Sequence, residues 1–128
     1  MLLKESWLSI TDNTNICWVK VFHLYKGFHR KVTKPGLITK SSARVVEPPR
    51  LEYKGFKYKY NIKGDIIRSW LVRSKYPLKY NDQSIINFNS NSGVIITKKQ
   101  NLKSKFLNGP LPLPVKIRKL HSLFTKSL

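Results

Sequence analysis

Residues 63–75 read KGDIIRSWLVRSK. The first three, Lys63-Gly64-Asp65, are typical of a turn, because glycine adopts the positive φ angles that tight turns require. The next seven, Ile66–Val72, contain two apolar clusters, Ile66-Ile67 and Trp70-Leu71-Val72. β-Branched and aromatic residues favour strands. The stretch therefore predicts a turn followed by a β-strand.

Further strand signals occur on both sides of this stretch. The segments share short apolar or alternating patterns bounded by Gly, Pro and Asn. They are Ile16–Leu24, Leu37–Val46, Phe56–Tyr60, Ser84–Phe88 and Gly93–Thr97. The last two flank an Asn/Ser turn at residues 89–92. Several short strands at close spacing predict a mainly β fold, either a small barrel or a sandwich.

The segment from about 47 to 62 is expected to project from that fold as a β-ribbon. Within it, residues 56–60 read FKYKY, so rings and ammonium groups alternate with period 2 and face opposite sides. The rings either stack on unpaired bases or pack inward beneath the ribbon. The sequence leaves both alternatives open.

The C-terminal region changes character after Gly109. Prolines at 110, 112 and 114 fix φ and remove backbone donors, which favours an extended chain. Residues 117–124 predict a short helix, because four of their apolar side chains share one face. We expect one domain over residues 1–128, with a Pro-rich and short helical tail over about 110–128, since the sequence contains no repeats and no linker.

The charge is the strongest functional signal. The chain carries 25 Lys and Arg residues against 6 Asp and Glu residues, a formal net charge of +19. A compact domain of this length has a radius of gyration of about 14 Å, so these charges repel one another unless a polyanion neutralises them. We therefore predict nucleic-acid binding. The candidate residues are His29, Arg30, Lys31 and Lys34, then Arg50, Lys54, Lys57, Lys59 and Lys63, then Lys98 and Lys99, with a fourth basic concentration over 116–126.

The sequence argues against enzymes, metal sites and membrane spans. Cys17, His23, His29 and His121 are the candidate soft metal ligands, but they lack the close pairs that small zinc sites use. No serine has the flanking residues of a nucleophile elbow. The glycines are scattered, which argues against a phosphate-binding loop, and the acidic residues are too few for a two-carboxylate active site. No stretch approaches the roughly 20 apolar residues of a membrane-spanning helix. We expect no catalysis, no cofactor, no metal and no small-molecule substrate.

Seven strings of the sequence carry a resemblance to a known family. They are Leu8–Thr14, Lys20-Val21 with Gly27–Lys31, Pro35–Lys40, Lys63–Lys75, Asp82–Gly93, Ser104–Pro110 and Lys119–Leu123. In this order they resemble the universal large-subunit ribosomal protein L-fourteen family of bacterial and organellar type. The best of them, residues 63–75, is similar to the family's KKGDVLKAVVVRTK, and the opening string resembles the strand and turn that the family writes ADNSGA.

The resemblance implies a five-stranded β-barrel with a β-ribbon and a short C-terminal helical segment. It implies a structural constituent of the large ribosomal subunit that binds rRNA, touches neighbouring ribosomal proteins and joins a bridge to small-subunit rRNA. On the matching strings, it implies that Asn13 and Lys75 contact RNA. It also implies that Ser104 and Lys105 face the small subunit. The alternative function is a free-standing single-stranded nucleic-acid-binding barrel, which would stay soluble without RNA.

The sequence also departs from the family pattern. The family's SGA is Thr14-Asn15-Ile16 here, the stretch between Val46 and Lys63 is longer, and Leu111–Pro114 replaces a polar helix start. Lys, Asn, Ile, Tyr and Phe supply 51 of 128 residues, and their codons are AT-rich. The opening residues do not have the Arg- and Ser-rich, acid-poor pattern of a mitochondrial import leader, so we expect none. We therefore expect a divergent, organelle-encoded member of the mitochondrial ribosome; the alternatives are the bacterial cytoplasm and the plastid.

Overall fold

The computed structural model describes residues 2–25, 27, 29–48, 60–104, 106–112 and 126–127. These residues form eleven strands and no helix. The predicted helix over 117–124 lies outside them, as does most of the predicted ribbon. In chain order the strands are β1 Leu2–Leu3, β2 Trp7–Ile10, β3 Ile16–Leu24, β4 Val32–Thr33, β5 Ile38–Val46, β6 Ile66–Arg73, β7 Leu78–Lys79, β8 Ile85–Ile86, β9 Ser92–Ile96, β10 Phe106–Leu107 and β11 Lys126–Ser127.

Five of these strands close into a barrel in the order β2-β3-β5-β6-β9. Neighbouring strands are antiparallel, except that β2 and β9 pair in parallel and close the barrel. The structure confirms the mainly β prediction and the five-stranded barrel, and it excludes the sandwich. The strands predicted at 16–24, 37–46 and 66–72 match β3, β5 and β6 to within one residue at each end.

β3 shows why the barrel can close around a small core. Its inward-facing residues are Ile16, Val19, Val21 and Leu24, all of them buried. A regular strand places every second residue on the same face, but two of these spacings are three residues long. The register with β5 shifts at three places, and at two of them, around residues 17 and 22, an extra residue bulges from β3. Bulges increase the local twist and bend a sheet, which closure requires.

The core lies mainly inside the barrel. It contains ten buried apolar residues from β1, β2, β3, β5, β6 and β9. A second, smaller core lies outside the barrel wall, where Val72, Val94 and Leu107 pack together and Trp70, Leu102 and Leu111 cover them. The segment 102–112 thus shields the outer face of β6 and β9. The described residues contain no helix of the length and apolarity that a membrane span requires.

The strands predicted on either side of the Asn/Ser turn are not partners. β8 pairs with β7 in a separate hairpin, whereas β9 enters the barrel between β6 and β2. β9 is buried at all five positions, because the barrel core covers one face and the second core covers the other. Gly93 suits this packing, since a Cβ there would lie 2.8 Å from the Trp70 carbonyl oxygen.

Candidate nucleic-acid interface

The topology places the candidate RNA-binding residues at two opposite ends of the barrel. At the first end, β3 and β6 finish while β5 and β9 begin. At the second end, β2, β5 and β9 finish while β3 and β6 begin. β3 has nine residues, and a strand of that length spans roughly 25 Å. The barrel therefore holds the two groups of residues apart at a fixed distance.

The first end carries five of the candidates, on the connections that follow β3 and β6. They are His29, Arg30, Lys31, Lys34 and Lys75. All are exposed except Arg30, which is half-buried and donates from Nε to the Val32 carbonyl at 2.9 Å. The connection is anchored to the barrel, because the Gly36 amide donates to the Leu71 carbonyl at 2.7 Å. This end is therefore a basic surface on a fixed backbone.

The second end carries four candidates, all exposed. They are Asn13, Lys63, Lys98 and Lys99. Lys63 lies in a turn that the Gly64 amide ties to the Ala43 carbonyl at 2.9 Å. Gly64 has a φ of +93°, the left-handed conformation that glycine adopts without strain. Lys98 and Lys99 lie in the turn after β9, which the Gln100 amide closes onto the Thr97 carbonyl at 2.9 Å.

Asn13 is presented by a turn built on Asp12. One carboxylate oxygen of Asp12 accepts from the amide and hydroxyl of Thr14, at 3.1 and 2.6 Å, and the other accepts from the Ile95 amide at 2.9 Å. Burial raises the pKa of Asp12, and these hydrogen bonds and the charge of Lys103 oppose the rise. The buried carboxylate fixes the turn and leaves Asn13 exposed at its tip.

The two ends of the enlarged 47–62 segment meet at Asn15. The side-chain Nδ2 donates to the Asn61 carbonyl at 2.8 Å and to the Glu47 carbonyl at 3.3 Å, and Oδ1 accepts from the Asn61 amide at 3.3 Å. The backbone adds a bond from the Glu47 amide to the Asn15 carbonyl at 2.7 Å. The segment therefore leaves the barrel and returns to it at one point. Of the candidates within it, Arg50, Lys54, Lys57 and Lys59 lie outside the described residues.

Ser104 lies in the segment that packs over β6 and β9. It is half-buried, and its Oγ accepts from the Phe106 amide at 3.3 Å. Arg73 fastens the same segment from β6, donating from Nη2 to the Asn108 carbonyl at 3.3 Å. Gly109 packs so closely that a Cβ would overlap the Arg73 guanidinium. Lys105, the second candidate for the subunit interface, lies outside the described residues.

The model of one protein family, described as ribosomal protein L14p/L23e, matches residues 1–126. The chain belongs to this family. The match includes the long 47–62 segment and most of the Pro-rich tail, so those departures occur within a member of the family. Membership makes the chain a structural protein of the large ribosomal subunit, and the family is not an enzyme family.

Sequence reasoning missed one surface of this L14p/L23e chain, the outer face of β3 and its neighbours. Trp18, Lys20 and Phe22 alternate along β3, and their side chains point outward. Lys40 lies directly opposite Arg68 on the next two strands. The sequence signal was the same ring-and-lysine alternation that singled out residues 56–60. Apolar and aromatic residues occupy both faces of β3, so the local pattern does not indicate which face is buried and which is exposed.

The candidate metal ligands do not converge in the part of this L14p/L23e chain that the structure describes. No group of three or more His, Cys, Asp or Glu side chains there could hold a metal ion. The Cys17 Sγ lies 3.5 Å from Glu47 Oε1, and the His23 ring meets the Tyr25 ring edge-on with centroids 5.4 Å apart. His121 lies outside the described residues.

Proposed function

We propose that this L14p/L23e protein binds large-subunit rRNA through both ends of its barrel. The observation that carries the proposal is that nine candidate residues lie on anchored turns at the two ends, and that eight of them are exposed. With 25 cations and 6 acidic residues, the chain cannot neutralise its own charge. Phosphates supply the missing counter-charge, and the release of their counterions drives binding.

The two ends contact separate stretches of RNA. The turn that carries His29, Arg30 and Lys31 serves one stretch, and the turns that carry Lys63 and Lys98 serve another. A closed barrel has no free edges along which it could deform, so it fixes the distance between the two stretches. Arg50, Lys54, Lys57 and Lys59 of the 47–62 segment are further proposed RNA contacts. The described ends of this segment, Glu47 and Asn61, meet Asn15 at the second end of the barrel. The protein thus acts as a spacer between RNA elements.

The segment 102–112 carries contacts to the small subunit. Ser104 and Lys105 are the proposed interface residues, and the hydrogen bond from Arg73 to Asn108 holds this segment against the barrel. These contacts would make the chain part of an intersubunit bridge. Neighbouring ribosomal proteins are further proposed partners of the chain.

The proposed location is the mitochondrial ribosome, with the gene in the organelle. The high content of residues with AT-rich codons supports this location. A bacterial or plastid ribosome is the alternative. Probing organellar DNA and nuclear DNA separately for the coding sequence decides between them.

Sedimentation tests the proposed function. Native lysate is run on a sucrose gradient at low salt, and the chain is followed with an antibody. We expect it in the large-subunit and whole-ribosome fractions, and we expect high salt to release it because phosphate contacts weaken with ionic strength. A chain that remains at the top of the low-salt gradient would instead be the free-standing nucleic-acid-binding module.

A further inference from the structure

We propose that the outer face of β3, β5 and β6 binds an unpaired stretch of RNA. In this assignment, Trp18 and Phe22 stack on bases, and Lys40 and Arg68 bind phosphates. The inference rests on the proposed rRNA binding and extends it, because it names a third contact surface on the barrel wall and the form of RNA that fits it.

Three exposed rings of the barrel wall surround Lys20. Trp18 is 43% exposed and Phe22 39%, on either side of Lys20 along β3. Trp7, on β2, lies directly opposite Lys20 and is 51% exposed. Single exposed apolar side chains are ordinary in soluble proteins, but three rings around one lysine form a patch of the kind that marks a binding surface.

The strand register explains why these rings cannot turn inward. Leu8 and Val19 face each other inside the barrel, and both are fully buried, so Trp7 and Trp18 on the neighbouring positions point outward. Phe22 sits at the shift in the register between Val21 and His23, and this shift turns it outward as well. Because the buried residues fix the barrel register, the three rings stay on the outer face.

A basic row crosses the same face. His23 on β3 pairs with Lys40 on β5, and Lys40 pairs with Arg68 on β6. Neighbouring strands lie about 4.8 Å apart, so the row spans roughly 10 Å. Like charges directly opposite each other on a sheet destabilise it. A bound phosphate between Lys40 and Arg68 would remove that cost.

The guanidinium of Arg68 is already oriented. Its carbon lies 5.9 Å from the centre of the Tyr25 ring, and its Nη1 donates to the Lys98 carbonyl at 3.5 Å. This bond links the basic row to the Lys98 turn at the second end of the barrel. Arginine held in place in this way loses less side-chain freedom when it binds a phosphate.

In the part of the chain that the structure describes, two carboxylates lie beside this face, and they decide which cations are assigned to phosphates. Glu5 Oε2 lies 3.2 Å from Lys20 Nζ, so Lys20 already has an anionic partner. Glu47 lies at the margin, near Cys17. The phosphate contacts are therefore assigned to Lys40 and Arg68, and Lys20 serves to separate the two rings.

The arrangement of rings and cations favours single-stranded RNA over a duplex and over a protein. Stacking on a side chain requires unpaired bases, whereas in a duplex the bases are covered by one another. A protein that docked on the rings would need a carboxylate opposite the Lys40–Arg68 pair. RNA provides both complementary features, bases and phosphates, in one chain.

The test compares binding of the purified full chain to a single-stranded oligouridylate and to an RNA duplex, with tryptophan fluorescence and filter binding as readouts. Trp18→Leu should weaken binding of the single strand about tenfold, because stacking contributes about 1–3 kcal/mol per base. Binding of the duplex should change by less than about twofold, since it depends on phosphate contacts. Trp18→Tyr should restore single-strand binding. Phe106→Leu, an exposed ring on another face, is the matched control.

The phosphate contacts are tested with Lys40→Gln, with Lys79→Gln as the control on the β7–β8 hairpin. For the single strand, Lys40→Gln should flatten the logarithmic salt dependence by about 0.7, and Lys79→Gln should leave it unchanged. Circular dichroism and unfolding midpoints establish that each variant folds. If Trp18→Leu did not fold, Phe22→Leu would replace it, and if Lys40→Gln did not fold, Arg68→Gln would replace it; the same losses are expected.

The possible failures are distinguishable. If the wild-type chain binds neither RNA, the proposed function fails. If it binds RNA but Trp18→Leu and Phe106→Leu behave alike, only this inference fails. If Trp18→Leu leaves RNA binding intact but reduces incorporation into large subunits, the face docks a protein, which also overturns the inference.

Discussion

Lys40 and Arg68 are direct cross-strand partners on the outer face of the barrel. Cross-strand neighbours in an antiparallel sheet have Cβ atoms about 5 Å apart, so the two cationic side chains leave the sheet side by side. A register maintained by buried core residues can tolerate such a pair. We therefore expect the pair to lower the stability of the free protein.

Lys40→Gln should stabilise the free protein. Removing one of two facing like charges is expected to raise the free energy of unfolding by about 0.2–1 kcal/mol in low salt. The gain should shrink as salt screens the repulsion. Urea denaturation at two ionic strengths measures the effect, with Lys79→Gln as the control. A loss of stability in Lys40→Gln at low salt would contradict the assignment.

Asn15→Ala should loosen the base of the 47–62 segment. The carboxamide makes three hydrogen bonds to backbone groups of Glu47 and Asn61, and the variant leaves those groups without it. We expect a loss of about 1–3 kcal/mol in unfolding free energy, together with faster hydrogen exchange at the Asn61 amide. The exposed Asn89 provides the control variant, Asn89→Ala. Equal stability in both variants would refute a structural role for Asn15.

Asp12 should give the protein an inverted pH dependence. Burial raises its pKa above 3.8, so the folded protein retains this proton at a higher pH than the unfolded chain does. Between 3.8 and the raised pKa, the contribution of Asp12 to stability therefore falls as pH rises. Asp12→Asn carries no such proton, so its stability relative to wild type should rise through that window. Chemical denaturation at a series of pH values measures the difference.

Asp82 is the matched control for that experiment. Hydrogen bonds from Ser84 lower the pKa of Asp82 below 3.8. The contribution of Asp82 to stability is therefore fully present above pH 3.8 and is lost as the pH falls through the lowered pKa, which is the opposite of the dependence expected for Asp12. Asp82→Asn should therefore lose stability relative to wild type as pH rises through its window. The same sign for both variants would show that the Asp12 carboxyl is not controlled by burial.

Salt dependence should show that both ends of the barrel contact RNA. Lys31→Gln removes a cation from the first end, and Lys98→Gln removes one from the second. Each should flatten the slope of log affinity against log salt for rRNA fragments by about 0.7–0.9, and the double variant by the sum, because the sites are far apart. An effect at one end alone would limit the interface to that end.

The sequence predicted the barrel strands well because each carries its own signal. Ile16–Leu24 and Ile66–Val72 are long apolar runs whose side chains must be buried on at least one face. The sequence did not predict the partner of β8, because Ile85 and Ile86 carry no information about it. β8 pairs with β7 in a hairpin. β9 packs against both cores, and the residues of those cores are far apart in the sequence, so no local pattern reveals its place in the barrel.

The sequence predicted which residues belong to the candidate site better than it predicted where those residues lie in the fold. The basic clusters are visible in the sequence, and those the structure describes lie on exposed turns. Their division between two ends follows from strand order, which local patterns do not contain. The Lys40–Arg68 pair was missed because the two residues are 28 positions apart and meet only through sheet register. Asn15 was noted as a lost glycine, and its contact with Asn61 depends on the fold.

A density map of the assembled large subunit would show whether RNA lies against both ends of the barrel. We predict that the chain lies at the face toward the small subunit, with rRNA phosphates within hydrogen-bonding distance of cationic side chains at both ends of the barrel. A map in which both ends face solvent, or in which the chain is absent from the particle, would contradict it.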